Sequence, residues 1–373
     1  MIEFGLLYDW RNPPRPEWHV PWQRFYAEGF DHIAEMDRRG VDVISFGEHH
    51  GDVDGFNPHI VESLVLAAQR TSRASLGTAV IQLPYYHPVM LAERLAFVDI
   101  LSGGRLRSLG MGQIGSPWDV EMEMLGVNTK HRPSLLEEGL ELLHRCWTED
   151  EPFDYVGKRH RGKHIQVIPK PLQRPSPPIH VVGVSETSAD RVARMGFDIG
   201  APGGFFDGLT SKERWDEWWP MWQRVCARHD RNPAEVKISV FGQCFVTDDP
   251  ERAAALHGAS VEYCLTWESR PSIHVYSDES LRHGGDKGLI AGLDLRRIFM
   301  TPEEAIAEFR GTHAERAPDE LLLLATRPGM SWEEAAEYHT TFKEKVLPHL
   351  QDLPTSTRAA AGAPRPQERA TVR

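Results

Sequence analysis

The chain has 373 residues, of which 40% are hydrophobic and 26% are charged, and its formal net charge is −12. This composition is typical of a globular protein that buries a large core. The acidic excess argues against a general nucleic-acid or anionic-membrane binder, because both partners require a basic surface. The N-terminus lacks the features of a signal peptide, and no apolar stretch approaches the roughly 18 residues of a transmembrane helix. We therefore expect a cytoplasmic protein.

The four cysteines are far apart in the sequence and form no CxxC pair; they are Cys146, Cys226, Cys244 and Cys264. This spacing does not support a zinc knuckle or a redox dithiol. We expect all four to be small buried side chains.

Short apolar strands alternate with amphipathic helices in the first part of the chain. The first helix has apolar side chains at three- and four-residue steps and ends at Gly40, a residue type common at helix C-termini. Asn57 and Pro58 predict the start of the next helix, and Pro88 predicts another start. The predicted strands are residues 2–7, 41–47, 75–83 and 105–112, and the predicted helices are residues 21–40, 57–72, 88–104 and 133–148.

Two segments interrupt this alternation. Residues 151–178 are rich in basic and aromatic side chains and predict an irregular hairpin insertion, whereas residues 251–300 form a mixed insertion with one predicted helix near 250–265. The tail over residues 351–373 has too few apolar side chains to fold and is predicted to be disordered. The remaining predicted strands are residues 179–184, 197–203, 236–246 and 320–326, and the remaining predicted helices are residues 185–195, 211–230 and 331–347.

Alternation of strands and helices along the whole chain implies parallel strands joined by right-handed crossovers. About eight such units favour a closed barrel over an open sheet. We therefore predict an α/β fold in which residues 1–350 form one (β/α)₈ TIM barrel that carries both insertions. In such a barrel the active site lies at the carboxyl ends of the strands, so the residues that follow each strand are candidates for function.

Two adjacent histidines, His49 and His50, follow the second predicted strand together with Glu48. Histidines beside a carboxylate at a strand end are suited to acid–base chemistry. Metal binding is an alternative, because Asp52 and Asp54 supply further donors. A third interpretation is that one histidine only caps the loop by hydrogen bonding. The residues by themselves leave these three interpretations open.

Two further strand ends are candidate cofactor sites. Residues 110–115 match GxGxxG, but the acidic residue that a dinucleotide site needs about 20 positions later is absent. The glycine at Gly112 instead suits a flat ligand that approaches the backbone closely. Residues 184–188 join a strand to a helix, where free amides and hydroxyls favour a phosphate group. The alternative is that Ser185 is an ordinary helix N-cap.

Several aromatic side chains follow predicted strands, among them Trp10, Trp18, Tyr85 and Tyr86. They suggest a pocket for an apolar or aromatic substrate, with Trp10, Tyr85 and Tyr86 as the candidate substrate residues. Core packing accounts equally well for any one of them. The tryptophans within residues 211–230 follow helical spacing and predict core or a subunit interface.

Three long motifs resemble the bacterial luciferase-like superfamily, which contains flavin-dependent monooxygenases and deazaflavin-dependent oxidoreductases. The motifs are GVDVISFGEHH at residues 40–50, LGTAVIQLPYYHPVMLAERLAFVDILSGGR at residues 76–105 and PKPLQRPSPPIHVVGVSETSADRVARMG at residues 169–196. The resemblance extends to about residue 350, and the order and spacing of the motifs are specific.

The resemblance implies that His49 or His50 lies beside the reactive face of the flavin. It implies a non-proline cis peptide bond under the flavin ring, which would here join Ala79 and Val80. Luciferases have an arginine that helps to hold the phosphate where this chain has Gln113, so either another residue neutralises the phosphate charge or the cofactor binds more weakly. Weak binding would suit a cofactor borrowed from a reductase, and the difference leaves both FMN and deazaflavin open. The other cofactor-binding residues that the resemblance implies are Gly112, Gly183, Val184, Ser185 and Ser188.

The resemblance implies a flavin-dependent monooxygenase that takes reduced FMN from a separate reductase and uses O2 to oxygenate a small organic substrate. A deazaflavin-dependent oxidoreductase, which transfers hydride without O2, is the alternative on the same fold. A metal-dependent hydrolase would need ligands at later strand ends, and the predicted strands there end without them. A flavin-binding protein without catalysis is disfavoured by the histidine pair. We also expect a homodimer, because members of this superfamily commonly dimerise.

Overall fold

The computed structural model of the protein describes residues 1–113, 119–204, 208–265 and 294–357. Eight parallel strands form a closed barrel, which confirms the predicted (β/α)₈ fold. In spatial order these strands are β1 (Glu3–Tyr8), β2 (Val43–Phe46), β3 (Ser75–Gln82), β4 (Leu106–Gly112), β7 (Ile179–Val182), β8 (Asp198–Gly200), β9 (Ile238–Gly242) and β12 (Glu320–Leu324). Two additional sheets consist of β5 (Phe153–Val156) with β6 (Arg161–Ile165) and of β10 (Phe245–Val246) with β11 (Phe299–Met300).

The helices connect the strands and pack against neighbouring helices around the barrel. They are α1 (Trp22–Arg38), α2 (Ile60–Arg70), α3 (Pro88–Ser102), α4 (Asp119–Met124), α5 (Arg132–Thr148), α6 (Glu186–Met195), α7 (Lys212–Arg228), α8 (Pro250–Leu265), α9 (Pro302–His313) and α10 (Trp332–Thr341). The sequence did not predict α9, although its start carries a readable signal. Thr301 and Glu304 each bond the other's backbone in a capping box, and Pro302 occupies the first turn.

The barrel strands are buried on both faces, because helices cover the outside and opposing strands cover the inside. Every residue of β12 is buried, as the continuous apolar run in its sequence predicts. A Cβ at Gly5 of β1 would lie 2.5 Å from Leu322 and 2.7 Å from Val43, so only glycine allows these side chains to approach. The side chains of this cluster between β1, β2 and β12 are Leu7, Val43, Leu322 and Leu324.

Asn57 does not cap a helix, in contrast to the prediction. Helix α2 begins at Ile60, with His59 at the N-cap position, and Asn57 has a left-handed φ of 50°. The Asn57 amide donates to the Gly47 carbonyl at 2.6 Å and accepts from the Ser63 hydroxyl at 3.2 Å. Asn57 therefore closes the loop that carries the two histidines, and the helix starts three residues later.

Residues 351–357 are bound to the barrel, which corrects the predicted start of the disordered tail at Gln351. The Gln351 amide accepts from the Ile2 N–H at 2.9 Å and donates to the Ile2 carbonyl at 3.0 Å. The Thr357 N–H donates to the Ala234 carbonyl at 2.8 Å. The rest of the predicted tail, residues 358–373, lies outside the described residues. The same holds for residues 266–293 of the mixed insertion and for residues 114 and 115 of the glycine-rich motif.

The predicted strand over residues 236–246 is divided in the structure. Its first part is β9 of the barrel, whereas β10 lies outside the barrel and pairs with β11. The first insertion contains an antiparallel hairpin of β5 and β6. In the part of the chain that the structure describes, no helix combines the length and apolar character needed to cross a membrane.

Candidate active site

Two groups of polar side chains lie at the carboxyl ends of the barrel strands. The loops after β2, β3 and β4, which are neighbours in the barrel, contribute the histidine cluster, defined as Glu48, His49, His50, Tyr85, Tyr86 and Glu121. The loops after β1, β2, β9 and β12 contribute the arginine cluster, defined as Asp9, Arg11, Asp54, Gln243 and Arg327.

The loop from Gly47 to Asn57 presents both histidines and is folded back on itself. The His49 N–H donates to the Phe56 carbonyl at 3.0 Å. Phe56 and Asn57 have left-handed φ values of 31° and 50°. Such backbone costs about 1–3 kcal/mol for a residue other than glycine and persists where surrounding contacts impose it. The contacts within this loop therefore fix the position of the histidines against an unfavourable local conformation.

His49 is held by a buried carboxylate from α4. Its Nδ1 lies 2.8 Å from Glu121 Oε1, and the Tyr85 hydroxyl donates to Oε2 of the same carboxylate at 3.2 Å. The Glu121 side chain is 0% exposed, whereas the His49 side chain is 14% exposed. The centroid of the Phe56 ring lies 4.3 Å from that of the His49 ring. The carboxylate and the phenyl ring thus fix the imidazole of His49, which remains partly exposed at the carboxyl end of the barrel.

His50 is held by a second buried carboxylate. Its Nε2 lies 3.4 Å from Glu48 Oε1. Glu48 also accepts from the Gln82 N–H at 2.7 Å and from the Tyr86 hydroxyl. Burial opposes a positive charge on His50, but the adjacent Glu48 carboxylate, with the charges of Glu121 and Asp52, outweighs it and raises the pKa of His50. Burial and the adjacent Glu48 raise the pKa of Tyr86, so its hydroxyl keeps its proton.

The histidine cluster therefore contains two sets of histidine, glutamate and tyrosine. A protonated imidazole can stabilise a developing negative charge, and an imidazole held by a carboxylate can give and take a proton. Tyr85 and Tyr86, the candidate substrate residues at the end of β3, lie beside the histidines, and both hydroxyls donate to the carboxylates. The Tyr85 ring also packs edge-on against His50, with centroids 5.4 Å apart.

Trp10 is not positioned to contact a substrate, which corrects the sequence prediction. The residue is 2% exposed, and its Nε1 donates to the Ser63 hydroxyl at 3.2 Å. Its ring packs on α1 at Gly29, where a Cβ would lie 2.2 Å from the ring. Trp10 is thus a core residue, and the aromatic side chains around it are Tyr8, Phe25, Tyr26, Phe30, Phe46 and Trp332.

The arginine cluster pairs its charges inside the protein. Arg11 Nε donates to Asp54 Oδ2 at 2.7 Å, and Arg327 Nη1 lies 3.5 Å from Asp9 Oδ2. Burial raises the pKa of Asp9 and Asp54, and the neighbouring arginines oppose this shift. Asp54, a metal donor in one sequence interpretation, is thus bonded to Arg11. Within the described ranges, no three His, Cys, Asp or Glu side chains are placed to hold a metal ion.

The ends of β3 and β4 carry buried acceptors suited to a ring with N–H groups. Gln82 Oε1 and Gln113 Oε1 are buried and have no hydrogen-bond partner among the described residues. An unsatisfied buried acceptor costs about 1–3 kcal/mol, which a bound donor would recover. The peptide bond between Ala79 and Val80 is cis, as the resemblance predicted. Gly112 packs against this bend, because a Cβ there would lie 2.6 Å from Val80. These positions fit a flavin-type ring.

The predicted phosphate site is a capped helix start. Ser185 Oγ accepts from the Ser188 N–H at 3.3 Å, and the Ser185 N–H donates to Ser188 Oγ at 3.0 Å. The N-cap interpretation is therefore present in the structure. Val184 is exposed, and Gly183 packs behind α6, where a Cβ would lie 3.2 Å from the Ala189 Cα. A phosphate here would take over the amide and hydroxyl donors that the two serines now share.

Sequence reasoning missed two central residues, Glu121 and Arg327. Arg327 directly follows the eighth predicted strand, residues 320–326, so the rule that barrel function lies at strand ends could have identified it. Glu121 lies on the short helix α4, and nothing in its local sequence distinguishes it from the other acidic residues there. Its role depends on a contact with a histidine 72 residues earlier in the chain.

Comparisons with known proteins identify the family of the chain. The luciferase-like monooxygenase family matches residues 2–322. Limonene 1,2-monooxygenase of Rhodococcus erythropolis is 34% identical over 353 residues, which are 89% of this chain and 85% of that protein. F420-dependent glucose-6-phosphate dehydrogenase of Intrasporangium calvum is 26% identical over 87% of this chain and 94% of its own length. The chain spans only 33% to 58% of the length of three other curated relatives that it matches.

A solved structure shares the fold at low identity. The oxygenating constituent of 3,6-diketocamphane monooxygenase from Pseudomonas putida, in complex with FMN, has a TM-score of 0.73 and 19% identity. The alignment covers 93% of this chain and 98% of that chain. At 19% identity this likeness shows the fold alone, whereas the family match over residues 2–322 rests on the sequence. The chain therefore belongs to the luciferase-like monooxygenase family.

Proposed function

We propose that this protein is a flavin-dependent monooxygenase that uses reduced FMN and O2 to oxygenate a small organic substrate. The observation that carries the proposal is the histidine cluster, in which two partly exposed histidines are each held by a fully buried glutamate. Such a pair can stabilise negative charge that develops on oxygen and can supply the proton that neutralises it. Membership in the luciferase-like monooxygenase family supports the same chemistry.

The described residues offer a place for each part of the cofactor. Reduced FMN would supply the electrons that activate O2. Gln82 Oε1 and Gln113 Oε1 would accept hydrogen bonds from the ring, and the hydroxyls of Ser185 and Ser188 would bind the phosphate at the positive end of α6. Because Gln113 stands where luciferases have an arginine, we propose that the cofactor binds weakly and comes from a separate reductase.

The two histidines would divide the work. The raised pKa of His50 favours the protonated ring, so His50 would stabilise negative charge. His49 would transfer the proton, because its ring is fixed by Glu121 and Phe56 but remains partly exposed. Phe56 and the two tyrosines would exclude water from the reacting atoms.

We propose an apolar organic substrate. The aromatic rings of Phe56 and Tyr85 flank the histidines and would contact such a molecule. The relative named limonene 1,2-monooxygenase, which aligns over 89% of this chain, supports the same class. Limonene is therefore a reasonable first compound in a panel of apolar substrates.

The first experiment is an anaerobic titration of the purified protein with reduced FMN, followed by admission of O2 in the presence of the substrate panel. We expect saturable binding of reduced FMN and a substrate-dependent product. His49→Ala and His50→Ala should each lower product formation by about 10²–10⁴ and raise release of hydrogen peroxide. Glu123→Gln, on the exposed side of α4, is the matched control. Unchanged coupling of O2 to product in both histidine variants would refute the proposal.

A deazaflavin-dependent oxidoreductase is the second candidate, because an F420-dependent dehydrogenase is 26% identical over 87% of this chain. The same titration with reduced deazaflavin separates the two functions. Tight binding of deazaflavin, weak binding of FMN and no consumption of O2 would replace the first proposal with this one.

We also propose that the protein is a cytoplasmic homodimer. All four cysteines are buried and free, which suits a reducing compartment. Helices α2 and α3 contact each other and expose apolar side chains that a second copy would cover, namely Leu66, Met90, Phe97 and Leu101. Sedimentation of the wild type and of Phe97→Glu tests this, since a monomeric wild type would contradict it.

A further inference from the structure

The two histidines present different ring nitrogens to their carboxylates. His49 meets Glu121 through Nδ1 at 2.8 Å, whereas His50 meets Glu48 through Nε2 at 3.4 Å. A carboxylate that is hydrogen-bonded to one nitrogen of an imidazole keeps a proton on that nitrogen. The neutral ring then has its lone pair on the other nitrogen. The lone pair would therefore lie on Nε2 in His49, whose Nδ1 is hydrogen-bonded to Glu121. His50 Nε2 makes no hydrogen bond with Glu48, so that carboxylate acts on His50 through its charge.

Glu121 is built to impose this arrangement on His49. Both oxygens of its carboxylate are engaged, Oε1 with His49 and Oε2 with the Tyr85 hydroxyl, so the carboxylate cannot rotate freely. Its side chain is 0% exposed, and a buried carboxylate is tolerated only where hydrogen bonds compensate for lost hydration. The donors come from the loops after β2 and β3, whereas Glu121 comes from α4 after β4. Three separate segments thus converge on one carboxylate.

We propose that Glu121 is a positioning residue that holds His49 as the Nδ1–H tautomer, so that Nε2 is the atom that accepts and returns the reacting proton. Tyr85 assists by fixing the second carboxylate oxygen. This assignment rests on the proposed function in giving His49 the proton transfer. It gives the Tyr85 hydroxyl the support of Glu121, in addition to the substrate contact proposed for the Tyr85 ring. His50 keeps its separate role of stabilising negative charge.

The test reads the tautomer directly and needs no flavin, substrate or O2. The full-length protein is labelled with ¹⁵N-histidine, and long-range proton–nitrogen spectra are recorded about two pH units above the ordinary histidine pKa of about 6.5. The His49 signals are identified by their loss in His49→Gln. We expect a protonated Nδ1 and an unprotonated Nε2 for His49 in the wild type.

Two substitutions of Glu121 should change the tautomer of His49 to different extents. In Glu121→Leu the acceptor is gone, and we expect His49 to change to a majority of the Nε2–H tautomer. In the isosteric Glu121→Gln the amide presents an oxygen or an NH2 group, so a mixture of the two tautomers is expected. The tautomer of His50 should be the same in both variants as in the wild type, because its contact with Glu48 is retained. The pKa of His50 should fall in both variants, because each removes the nearby charge of Glu121. Glu123→Leu, an exposed position on the same helix, is the matched control and should leave His49 unchanged.

The wild-type spectrum alone can overturn the proposal, even if Glu121→Leu does not fold. A His49 ring with its proton on Nε2 in the wild type excludes the assignment. So does a folded Glu121→Leu variant in which His49 keeps the Nδ1–H tautomer. Failure of the monooxygenase assay with an Nδ1–H tautomer of His49 would refute the proposed function and leave the tautomer assignment in place.

Discussion

The histidine cluster and the arginine cluster use the same kind of ion pair in opposite ways. In the histidine cluster only the carboxylates are fully buried, since the side chains of His49 and His50 are 14% and 18% exposed and those of their glutamates are 0% exposed. In the arginine cluster both members of a pair are buried, with Arg11 1% and Asp54 0% exposed. The two clusters meet at Phe56, whose ring lies beside His49 and 4.5 Å below the Arg11 guanidinium.

This difference separates a reactive site from a structural one. A partly exposed histidine can exchange protons with a bound molecule, and the buried carboxylate behind it determines which ring nitrogen exchanges the proton. An arginine always remains charged, so the buried arginine–aspartate pairs hold their segments together and offer no base that reaches the solvent. The sequence contains acidic and basic residues in both the histidine cluster and the arginine cluster. Only the burial of these residues in the structure distinguishes the reactive cluster from the structural one.

Breaking the arginine cluster should have the largest effect on stability. Asp54→Asn leaves the Arg11 charge buried without its carboxylate, and we expect the free energy of unfolding to fall by about 3–5 kcal/mol. The double variant Arg11→Met/Asp54→Leu should regain most of this loss, because it removes both charges. Urea unfolding measures all three proteins.

The matched control is Glu28→Gln, which breaks the exposed pair of Arg24 and Glu28 and should cost less than about 1 kcal/mol. If Asp54→Asn is as stable as Glu28→Gln, the charges of the arginine cluster are hydrated rather than buried.

Histidines without a carboxylate sharpen the comparison through the pH dependence of stability. Burial lowers the pKa of His32 and His313 to about 3 and that of His339 to about 4. As pH falls below about 6.5, the unfolded chain binds protons that these folded side chains refuse, so stability should decline until the pH reaches their folded pKa values. Each histidine contributes up to about 1.4 kcal/mol per pH unit.

His339→Gln isolates one of these contributions. The glutamine amide can still donate to the Ala325 carbonyl, which His339 Nε2 contacts at 2.9 Å. Urea unfolding at several pH values between about 6.5 and 4.5 should give a shallower slope for the variant than for the wild type. Equal slopes would mean that His339 is protonated in the folded protein.

Removing the helix cap should have a smaller effect. Ser185→Ala deletes the hydroxyl that accepts from the Ser188 N–H, and we expect a loss of about 1 kcal/mol in the free energy of unfolding. Reduced FMN should also bind more weakly if the same hydroxyl binds phosphate. Ser211→Ala removes the corresponding cap of α7 and is the matched control, since it should lower stability without changing FMN affinity.

The smallest stability change is expected for Glu48→Gln, at about 1 kcal/mol or less, because glutamine can still accept from the Gln82 N–H. Its main effect should be a lower pKa of His50, measured by NMR titration. The raised pKa of His50 implies that its pairing with Glu48 stabilises the fold below about pH 6.5 and that this contribution is lost as pH rises through the folded value. An unchanged His50 titration in the variant would show that Glu48 does not control this charge.

The parts of the site that could be predicted are those that depend on position along a strand. His49, His50, Tyr85 and Tyr86 were singled out because they follow predicted strands, and the strand-end rule brings such residues to one face. Gln113 was singled out by the family resemblance alone. Trp10 also follows a strand, but its ring turns back onto α1 and is buried there. Asn57 looked like a helix cap because its sequence context is that of one, yet a contact with Gly47 determines its conformation.

The sequence by itself determined the barrel, the histidine pair and the family resemblance, because hydrophobic periodicity and motif spacing are local properties of the chain. Only the tertiary structure decided that Glu121 supports His49, that Arg327 lies against Asp9 and Gln243, and that Trp10 belongs to the core. These contacts depend on the conformation of loops that contain left-handed residues such as Phe56. They also depend on which distant side chains meet once the eight strands have formed the closed barrel. No local pattern records them, because each contact joins segments that are neighbours in space and remote in sequence.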